Sequence, residues 1–273
     1  DSINALRAEL GRDFEVAIDF EGGRVQRFSE ILGEYPSAQQ MAADNSPEQV
    51  EQLAGDIGKR LMDYGINVDF APVLDVDGDG LEVVGDRAFS TDPAQAGDYG
   101  AAFARGLDAA GVKAVFKHFP GHGRASGDTH LAEAITPPLE ELENHEFIPF
   151  RNAIPAAPNA ALMMGHLAVP GLGDGQTPAS ILPEAYGLAR EALQYDGTIY
   201  TDDIGGMAAI SDSLPLADAV ITSLAAGADM PLWSTEEDIN AVIDAVVGAV
   251  DEGRLAPERL GDAARHVRDG DSD

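Results

Sequence analysis

The residues most able to do chemistry are concentrated in one short segment, Lys117–Gly123 (KHFPGHG), followed by Asp128-Thr129-His130. Three of the six histidines and one of the three lysines lie in this stretch. One proline and three glycines within it predict a loop instead of a helix. Loops at strand ends can direct side chains into an active site. This segment is therefore the first candidate for a catalytic loop.

Asp128 and His130 are two residues apart, and such residues project to the same side of extended backbone. A carboxylate that accepts from one imidazole nitrogen fixes the tautomer and raises the basicity of the other nitrogen. The pair can then act as general acid and base near neutral pH. A loop-capping histidine beside a turn-forming aspartate explains the same spacing, because D-x-H is common by chance.

A second candidate is the adjacent pair Asp202 and Asp203 in Tyr200–Ile204 (YTDDI), at the end of an apolar run. A carboxylate at a strand end can attack an electrophilic carbon and form a covalent intermediate. Aspartates in this position also cap the following helix, and we assign that role to Asp203.

Two more segments place charged side chains after apolar runs. Asp19 ends the first run and is followed by Glu21, a glycine pair, Arg24 and Arg27. Arg87 lies in the segment GDRAF. Arginines on so acidic a chain are candidate donors to a sugar or a carboxylate, although solvated surface positions explain some of them equally well.

Six short apolar runs alternate with longer segments of helical spacing. Most of the runs lack polar alternation, which is typical of strands buried on both faces. The runs are Phe14–Phe20, Ile66–Val76, Lys113–Phe119, Ala160–Leu167, Gly197–Ile204 and Ala228–Trp233. Helices are predicted at Ile3–Leu10, Ser46–Gly65, Pro93–Gly111 and Thr235–Gly253. This alternation predicts an α/β fold with a parallel sheet or (β/α) barrel, whose carboxyl strand ends carry the active site.

The charge balance excludes several classes of partner. The 273 residues include 48 Asp and Glu against 17 Lys and Arg, for a formal net charge of −31. So negative a surface repels phosphate backbones and anionic lipid, which argues against nucleic acid and membrane surfaces as partners. Acidic, lysine-poor surfaces suit high salt, where screening relieves self-repulsion, so we expect a salt-adapted, halophilic protein.

The hydrophobic content, the lack of cysteine and the length of the apolar runs restrict the class of protein further. With 44% hydrophobic residues the chain can bury a core, which excludes a mainly disordered protein. There is no cysteine, so disulfides and thiolate metal sites are excluded. No apolar run reaches the ~18 residues of a membrane span, and the first residues do not resemble a signal peptide.

Taken in order, these segments resemble the β-N-acetylglucosaminidases of glycoside hydrolase family 3, the type that trims peptidoglycan-derived glycans. KHFPGHG followed by D-x-H is a highly specific combination. The matching motifs are IDFEGGRVQRF (Ile18–Phe28), FAPVLDV (Phe70–Val76), GDRAFSTDP (Gly85–Pro93), KHFPGHG (Lys117–Gly123), DTH (Asp128–His130) and TDD (Thr201–Asp203). They cover roughly residues 14 to 265 of the chain.

The resemblance implies roles for these residues. Asp202 would be the nucleophile, and His130 would transfer the proton while Asp128 orients it. This dyad departs from the usual pair of carboxylic acids in retaining glycosidases. The family's sugar-binding positions fall on Asp19, Arg27, Arg87, Lys117, His118 and His166. Arg24, Glu21 and His122 are interpreted as structural. The substrate would be an N-acetylglucosamine-containing glycan such as a muropeptide, and no metal or cofactor is implied.

The resemblance also implies a (β/α)8 TIM-type barrel. Six strands are counted where eight are expected, so the chain would lack the first one or two strand–helix units. We expect the barrel domain to cover residues 1–268 and residues 269–273 to form an acidic tail. The chain departs from the family at Phe20, where glutamine is usual, and in the glycine-rich segment IGGMAAI after the nucleophile.

Three alternatives stay open at this point. A metal-dependent barrel hydrolase would use His118, His122, His166 and Asp202 as ligands. A non-catalytic sugar-binding or assembly protein would keep the same residues on an incomplete barrel. A glycoside phosphorylase would transfer the sugar to phosphate, which a histidine acid/base does not repel as a carboxylate would.

Overall fold

The computed structural model describes residues 2–76, 78, 80–129 and 133–269, and it has the α/β fold expected from the sequence. The chain forms two compact units. The first comprises the described residues up to Lys117 together with Ile148–Ala160, and the second comprises His118–Phe147 together with the described residues from Ala161 onward. The predicted acidic tail begins at Asp269, the last residue of a helix, and otherwise lies outside the described residues.

The part of the chain up to Phe119 alternates helices with short strands. In order these are α1 (Ser2–Leu10), β1 (Ala17–Ile18), β2 (Phe20–Gly22), β3 (Val25–Gln26), α2 (Ser29–Leu32), α3 (Ala38–Asp44), α4 (Pro47–Asp63), β4 (Val68–Asp69), α5 (Pro93–Ala109) and β5 (Lys113–Phe119). A 3₁₀ turn at Gly85–Arg87 precedes α5.

The rest of the described chain continues the alternation. The elements are β6 (Ala134–Ile135), α6 (Leu139–Asn144), α7 (Phe147–Ala156), β7 (Ala161–Met164), β8 (Leu167–Ala168), α8 (Pro183–Gly187), β9 (Ile199–Asp203), α9 (Ala208–Ser211), α10 (Leu216–Ala226), β10 (Met230–Leu232), α11 (Ile239–Asp251) and α12 (Pro257–Asp269). A 3₁₀ turn at Ala179–Ile181 precedes α8, and a π-helical turn at Leu188–Ala192 follows it.

In the first unit, β4 pairs in parallel with β1 on one side and with β5 on the other. Regular pairing of β4 stops before Pro72, which has no N–H to donate, and the contact with β5 resumes as a single bridge between Val73 and Lys117. Helices α4 and α5 pack closely at small residues. A side chain on Gly106 would overlap the carbonyl oxygen of Glu51, so only glycine permits this approach.

In the second unit, β9 pairs in parallel with β7 and with β10. Its residues up to Asp202 are all buried, which explains why the sequence shows an apolar run without alternation. The helices after β9 bury a cluster of aliphatic side chains: Ile204, Ile210, Val220, Leu224, Val242 and Leu255 among others. Helix α12 is held by Asp229, whose buried carboxylate accepts from Arg190, Arg259 and His266.

Each of the six predicted strand runs contains a strand, and the four predicted helices are present. Helix α4 begins with a capping box between Ser46 and Gln49, and α5 is capped by Asp92. Helix α11 begins four residues later than predicted. Its cap is Asp238, which accepts from the N–H of Asn240, and not Thr235.

Candidate active site

Asp202 lies at the carboxyl end of β9. The residue is 8% exposed, so its carboxylate is largely shielded from water. Its Oδ1 accepts a 2.9 Å hydrogen bond from the backbone N–H of Asp203, and its Oδ2 lies 3.8 Å from Nε2 of His118. The strand end therefore presents a shielded carboxylate beside an imidazole.

Asp203, the next residue, has a different environment. Its Oδ1 accepts from the backbone N–H groups of Gly205 at 3.0 Å and Gly206 at 2.8 Å. Ser234 adds its backbone N–H to Oδ1 and its hydroxyl to Oδ2. Because α9 begins only at Ala208, Asp203 caps the turn after β9 and not a helix. Of the two aspartates, Asp203 is thus the structural one.

His118 and His166 flank Gly165 at the ends of β5 and β7. The N–H of Gly165 donates to the carbonyl of Phe119 at 2.8 Å. A Cβ at Gly165 would lie 3.1 Å from Cβ of His118, which is tighter than ordinary van der Waals contact. Glycine at this position therefore lets His118 sit against the end of β7.

His166 is the most deeply buried histidine of this group, at 1% exposure. Its Nδ1 lies 2.7 Å from the hydroxyl oxygen of Ser180, and its Nε2 has no hydrogen-bond partner among the described residues. Burial lowers the pKa of His166, and the negative charge of Asp202 only partly opposes that shift. His166 is therefore neutral at physiological pH, next to the charge of Asp202.

The predicted catalytic loop follows β5. Asp128 is half-buried and Thr129 is buried, while His130 lies outside the described residues. The carbonyl of Thr129 accepts from the N–H of Ala209 at 3.3 Å, and the Thr129 hydroxyl lies 3.8 Å from the sulfur of Met207. The loop that carries Asp128 is thereby tied to the segment that follows Asp202 and Asp203.

A buried ion pair anchors the start of this loop. Arg124 donates to both carboxylate oxygens of Glu146, at 2.6 and 2.9 Å, and the Glu146 side chain is 1% exposed. A side chain on Gly121 would overlap Glu146, so glycine is required there. His122 is buried and presents its ring edge to His118 at 6.1 Å between centroids. These contacts agree with the structural interpretation of His122.

A second set of predicted site residues lies in the first unit. Lys117 Nζ lies 3.0 Å from Asp19 Oδ1 and 2.6 Å from Glu21 Oε1. Arg87 donates to both carboxylate oxygens of Glu21 at 2.8 Å. The side chains of Lys117 and Glu21 are 3% exposed, whereas that of Asp19 is 39% exposed. Asp19 is therefore the member of this cluster that faces solvent.

The ion pairs of this cluster determine its protonation. Burial opposes the charged form of Glu21, but Lys117 and Arg87 outweigh it and lower the pKa of Glu21 to about 2. Burial also opposes the charge on Lys117, and Glu21 and Asp19 together raise the pKa of Lys117 above its usual range. Glu21 and Lys117 are therefore both charged at neutral pH, and the Glu21 carboxylate is shared between Lys117 and Arg87.

The two remaining arginines of the first motif differ. Arg24 donates to Asp86 at 2.8 Å and to the carbonyls of Glu82 and Val84, which supports the structural role given to it. Arg27 is exposed, and its described hydrogen bond is a backbone one, from its N–H to the carbonyl of Asp19 at 3.1 Å.

Three residues near these sites were missed by the sequence analysis: Ser180, Glu146 and Asp69. Asp69 is fully buried in β4, accepts from the N–H of Phe20 at 3.0 Å, and has a pKa raised well above its ordinary value because of burial. Two aspartates, Asp69 and Asp75, interrupt the apolar run INVDFAPVLDV, and the first of them was a signal that could have found it. Ser180 and Glu146 have no comparable signal, because their partners are distant in sequence.

Within the described residues, no group of three or more His, Asp or Glu side chains is placed to hold a metal ion. None of the helices in that part of the chain is long and apolar enough to cross a membrane.

Residues 5–269 match the model of the glycosyl hydrolase family 3 N terminal domain. The beta-hexosaminidase LpqI of Mycobacterium tuberculosis is 44% identical over 247 residues, which are 88% of this chain. The chain spans 63% of the length of that relative.

Solved structures give the same relationship. A glycosyl hydrolase of the GH3 family from Mycobacterium smegmatis matches 93% of this chain and 80% of its own, at 42% identity and a TM-score of 0.89. A glycoside hydrolase family 3 beta-N-acetylglucosaminidase from Paenibacillus sp. matches 98% of this chain and 53% of its own, at 32% identity and a TM-score of 0.89.

Proposed function

The chain belongs to glycosyl hydrolase family 3, and from that membership we propose that it is a retaining β-N-acetylhexosaminidase that removes terminal N-acetyl-β-D-glucosamine from glycans. The relatives named beta-hexosaminidase and beta-N-acetylglucosaminidase support this substrate class. We include muropeptides among the substrates because of the peptidoglycan-trimming type that the motifs resemble. For the fold, membership supports a TIM-type barrel arrangement of residues 1–268, of which the parallel strands of each unit are the observed part.

One observation carries the proposal: the two adjacent aspartates have separate tasks. Asp203 is occupied by backbone and hydroxyl donors that close a turn, whereas Asp202 holds a shielded carboxylate at the end of a parallel strand, 3.8 Å from His118. A nucleophile needs an oxygen that can reach an anomeric carbon, and the Asp202 environment meets that need.

The proposed reaction is a double displacement. His130 gives its proton to the glycosidic oxygen as the bond to the leaving group breaks, and Asp202 attacks the anomeric carbon. The product is an α-glycosyl-aspartate ester. Neutral His130 then takes a proton from water, which displaces Asp202 and releases the sugar with its β configuration. The carboxylate of Asp202 stabilises the oxocarbenium-like transition states of both steps.

Asp128 is the residue that orients His130 in this proposal. The link from Thr129 to Met207 and Ala209 supports it, because it ties the acid/base loop to the segment following the nucleophile. Proton transfer requires a donor–acceptor distance of hydrogen-bond length. A loop that holds the acid/base residue in a fixed position therefore favours the reaction.

Sugar binding is assigned to the remaining predicted residues. The solvent-facing carboxylate of Asp19, held by Lys117, is suited to accept from sugar hydroxyls, because a fixed oxygen loses little freedom on binding. Arg27, Arg87, His118 and His166 complete the proposed set. Arg87 would act mainly by holding Glu21, which in turn holds Lys117.

The test is hydrolysis of p-nitrophenyl N-acetyl-β-D-glucosaminide by wild type, Asp202→Asn and His130→Ala. We expect Asp202→Asn to lower kcat by on the order of 10⁴-fold, because the covalent route is lost. Asp212→Asn, which alters an exposed carboxylate in the same unit, is the matched control and should keep wild-type kcat. An active wild type with two fully active variants would refute the site assignment.

The same assay separates the alternatives. Release of free N-acetylglucosamine at a rate independent of added phosphate supports a hydrolase, whereas formation of the sugar 1-phosphate would show a phosphorylase. Loss of activity with a chelator would favour the metal-dependent hydrolase. Binding of the substrate without turnover would favour the sugar-binding protein.

A further inference from the structure

Ser180 has no role in the mechanism above, yet it is fully buried against one of the proposed site histidines. We propose that Ser180 is a positioning residue that donates to Nδ1 of His166 and so keeps the ring proton on Nε2, which serves as a hydrogen-bond donor to the sugar held at Asp202. This inference rests on the proposed function, since it names the sugar as the acceptor.

The surroundings of His166 decide which nitrogen carries the proton. The carboxylate of Asp202 and the backbone of Asp203 both favour a proton on the ring, whereas His118 and burial disfavour a second one. A neutral imidazole has one N–H and one lone pair. A lone pair directed at the acceptors on the Asp202 side would be repelled, so the N–H belongs on Nε2.

Nδ1 of His166 must then accept a hydrogen bond, and the Ser180 hydroxyl is placed to donate it. The Ser180 oxygen lies 2.7 Å from Nδ1, a normal length for this hydrogen bond. Ser180 is itself fixed, because its carbonyl accepts from the buried hydroxyl of Tyr186 at 2.7 Å. The tautomer of a histidine is set by the hydrogen bond that its other nitrogen makes. Ser180 therefore controls what Nε2 can offer.

Nε2 of His166 is the ring nitrogen left to contact a substrate. It is buried and makes no hydrogen bond of ordinary length among the described residues, while the Asp203 backbone beside it favours its proton. A sugar oxygen held beside Asp202 would satisfy it. A fixed donor holds the sugar oxygen in the orientation that attack by Asp202 requires, so its contribution falls on kcat more than on KM.

The experiment compares Ser180→Ala with a matched control, Ser223→Ala. Ser223 is equally buried in the same unit, but its hydroxyl donates to the carbonyl of Val220 in its own helix. Both variants lose one buried hydroxyl and should lose similar stability. We expect Ser180→Ala to lower kcat about 10- to 100-fold, the range seen when a functional histidine loses its orienting partner, with a smaller change in KM. Ser223→Ala should keep wild-type kcat.

A second readout does not depend on turnover. Proton–nitrogen correlation spectra of histidine-labelled protein, with the His166 signals assigned from His166→Gln, report which ring nitrogen is protonated. We expect a protonated Nε2 and an unprotonated Nδ1 in wild type, and a mixture of tautomers in Ser180→Ala. A proton on Nδ1 in wild type overturns the proposal, as does a Ser180→Ala variant with wild-type kcat. If the protein turns over no N-acetylglucosaminide, the spectra still decide the tautomer, so the two failures are distinguishable.

Discussion

The two clusters of chemistry-bearing residues handle charge in opposite ways. In the first unit, Lys117, Glu21 and Arg87 form short, buried ion pairs, and both members of the Lys117–Glu21 pair stay charged at neutral pH. In the second unit, Asp202 and His118 are 3.8 Å apart, and His166 is held neutral. The first cluster is built to keep one charge state, and the second is built of groups that can exchange protons or attack.

This difference predicts that the first cluster affects mainly stability and the second mainly the rate of the proposed reaction. Charges held in buried ion pairs fix the positions of their side chains. Removing one partner leaves the other charge buried and unpaired, which destabilises the fold. The second cluster brings a carboxylate and two imidazoles together without such a buried ion pair between them. We therefore expect changes in the first cluster to act mainly on the free energy of unfolding, and changes in the second mainly on rate.

The largest stability effect is expected for Glu21→Gln. The change leaves Lys117 and Arg87 buried without their shared carboxylate, so the free energy of unfolding should fall by about 3–5 kcal/mol. Urea unfolding at pH 7 measures it, with the exposed Glu30→Gln as the matched control. A Glu21→Gln protein as stable as the control would show that the cluster does not hold the first unit together.

The pH dependence of the free energy of unfolding provides a second test of the ion pairs of Glu21. The pKa of Glu21 falls from 4.5 to about 2 on folding, so its stabilisation is complete above pH 4.5 and is lost as the pH falls towards 2. The difference in unfolding free energy between wild type and Glu21→Gln should therefore be constant near neutrality. It should shrink by on the order of 3 kcal/mol across that acid window. A difference that stays constant down to pH 2 would contradict this assignment.

His118→Asn tests the second cluster. The variant should lower kcat/KM by about 10- to 100-fold, as expected when a polar group of the bound sugar loses its hydrogen-bond partner, while the free energy of unfolding stays within about 1 kcal/mol of wild type. Asp212→Asn, the exposed change in the same unit, is again the control and should change neither quantity much. If His118→Asn destabilised the protein as strongly as Glu21→Gln, the contrast between the clusters would fail.

The smallest effect is expected at Asp69, a buried carboxyl that belongs to neither type. Its raised pKa means that wild type loses stability as the pH rises above 3.8, because folding then requires proton uptake. Asp69→Asn keeps an acceptor for the N–H of Phe20 without this cost, so its stability should fall less between pH 4 and pH 7. Asp69→Ala, which removes the acceptor, should lose about 1–3 kcal/mol at both pH values. Equal pH dependence in wild type and Asp69→Asn would refute a protonated Asp69.

Local sequence patterns predicted the secondary-structure elements better than they predicted which side chains contact each other. Each of the six apolar runs contains a strand because buried parallel strands lack alternation, whereas the short strands β3 and β6 lie outside the runs. The proline and cap residues located α4 and α5. The cap of α11 was predicted three residues too early because Thr235 and Asp238 are both good caps, and only the structure shows which one is used.

The site shows the same limit. The position of Asp202 at a strand end made it the proposed nucleophile, and its adjacency to Asp203 suggested that one of the two would be structural. The brace between Glu21 and Arg87 joins residues 66 positions apart, and Ser180 reaches His166 across 14 positions. No short-range spacing encodes such pairs, because they arise only when elements pack.

The central claim, that Asp202 is the nucleophile, is tested most directly by trapping the glycosyl-enzyme. The protein is incubated with a fluorinated N-acetylglucosaminide that forms the covalent intermediate but hydrolyses slowly, then digested and analysed by peptide mass spectrometry. We predict one added sugar, located on Asp202 and absent from Asp202→Asn. A sugar attached to Asp203 or to another residue, or rapid turnover with no covalent adduct, would contradict the account.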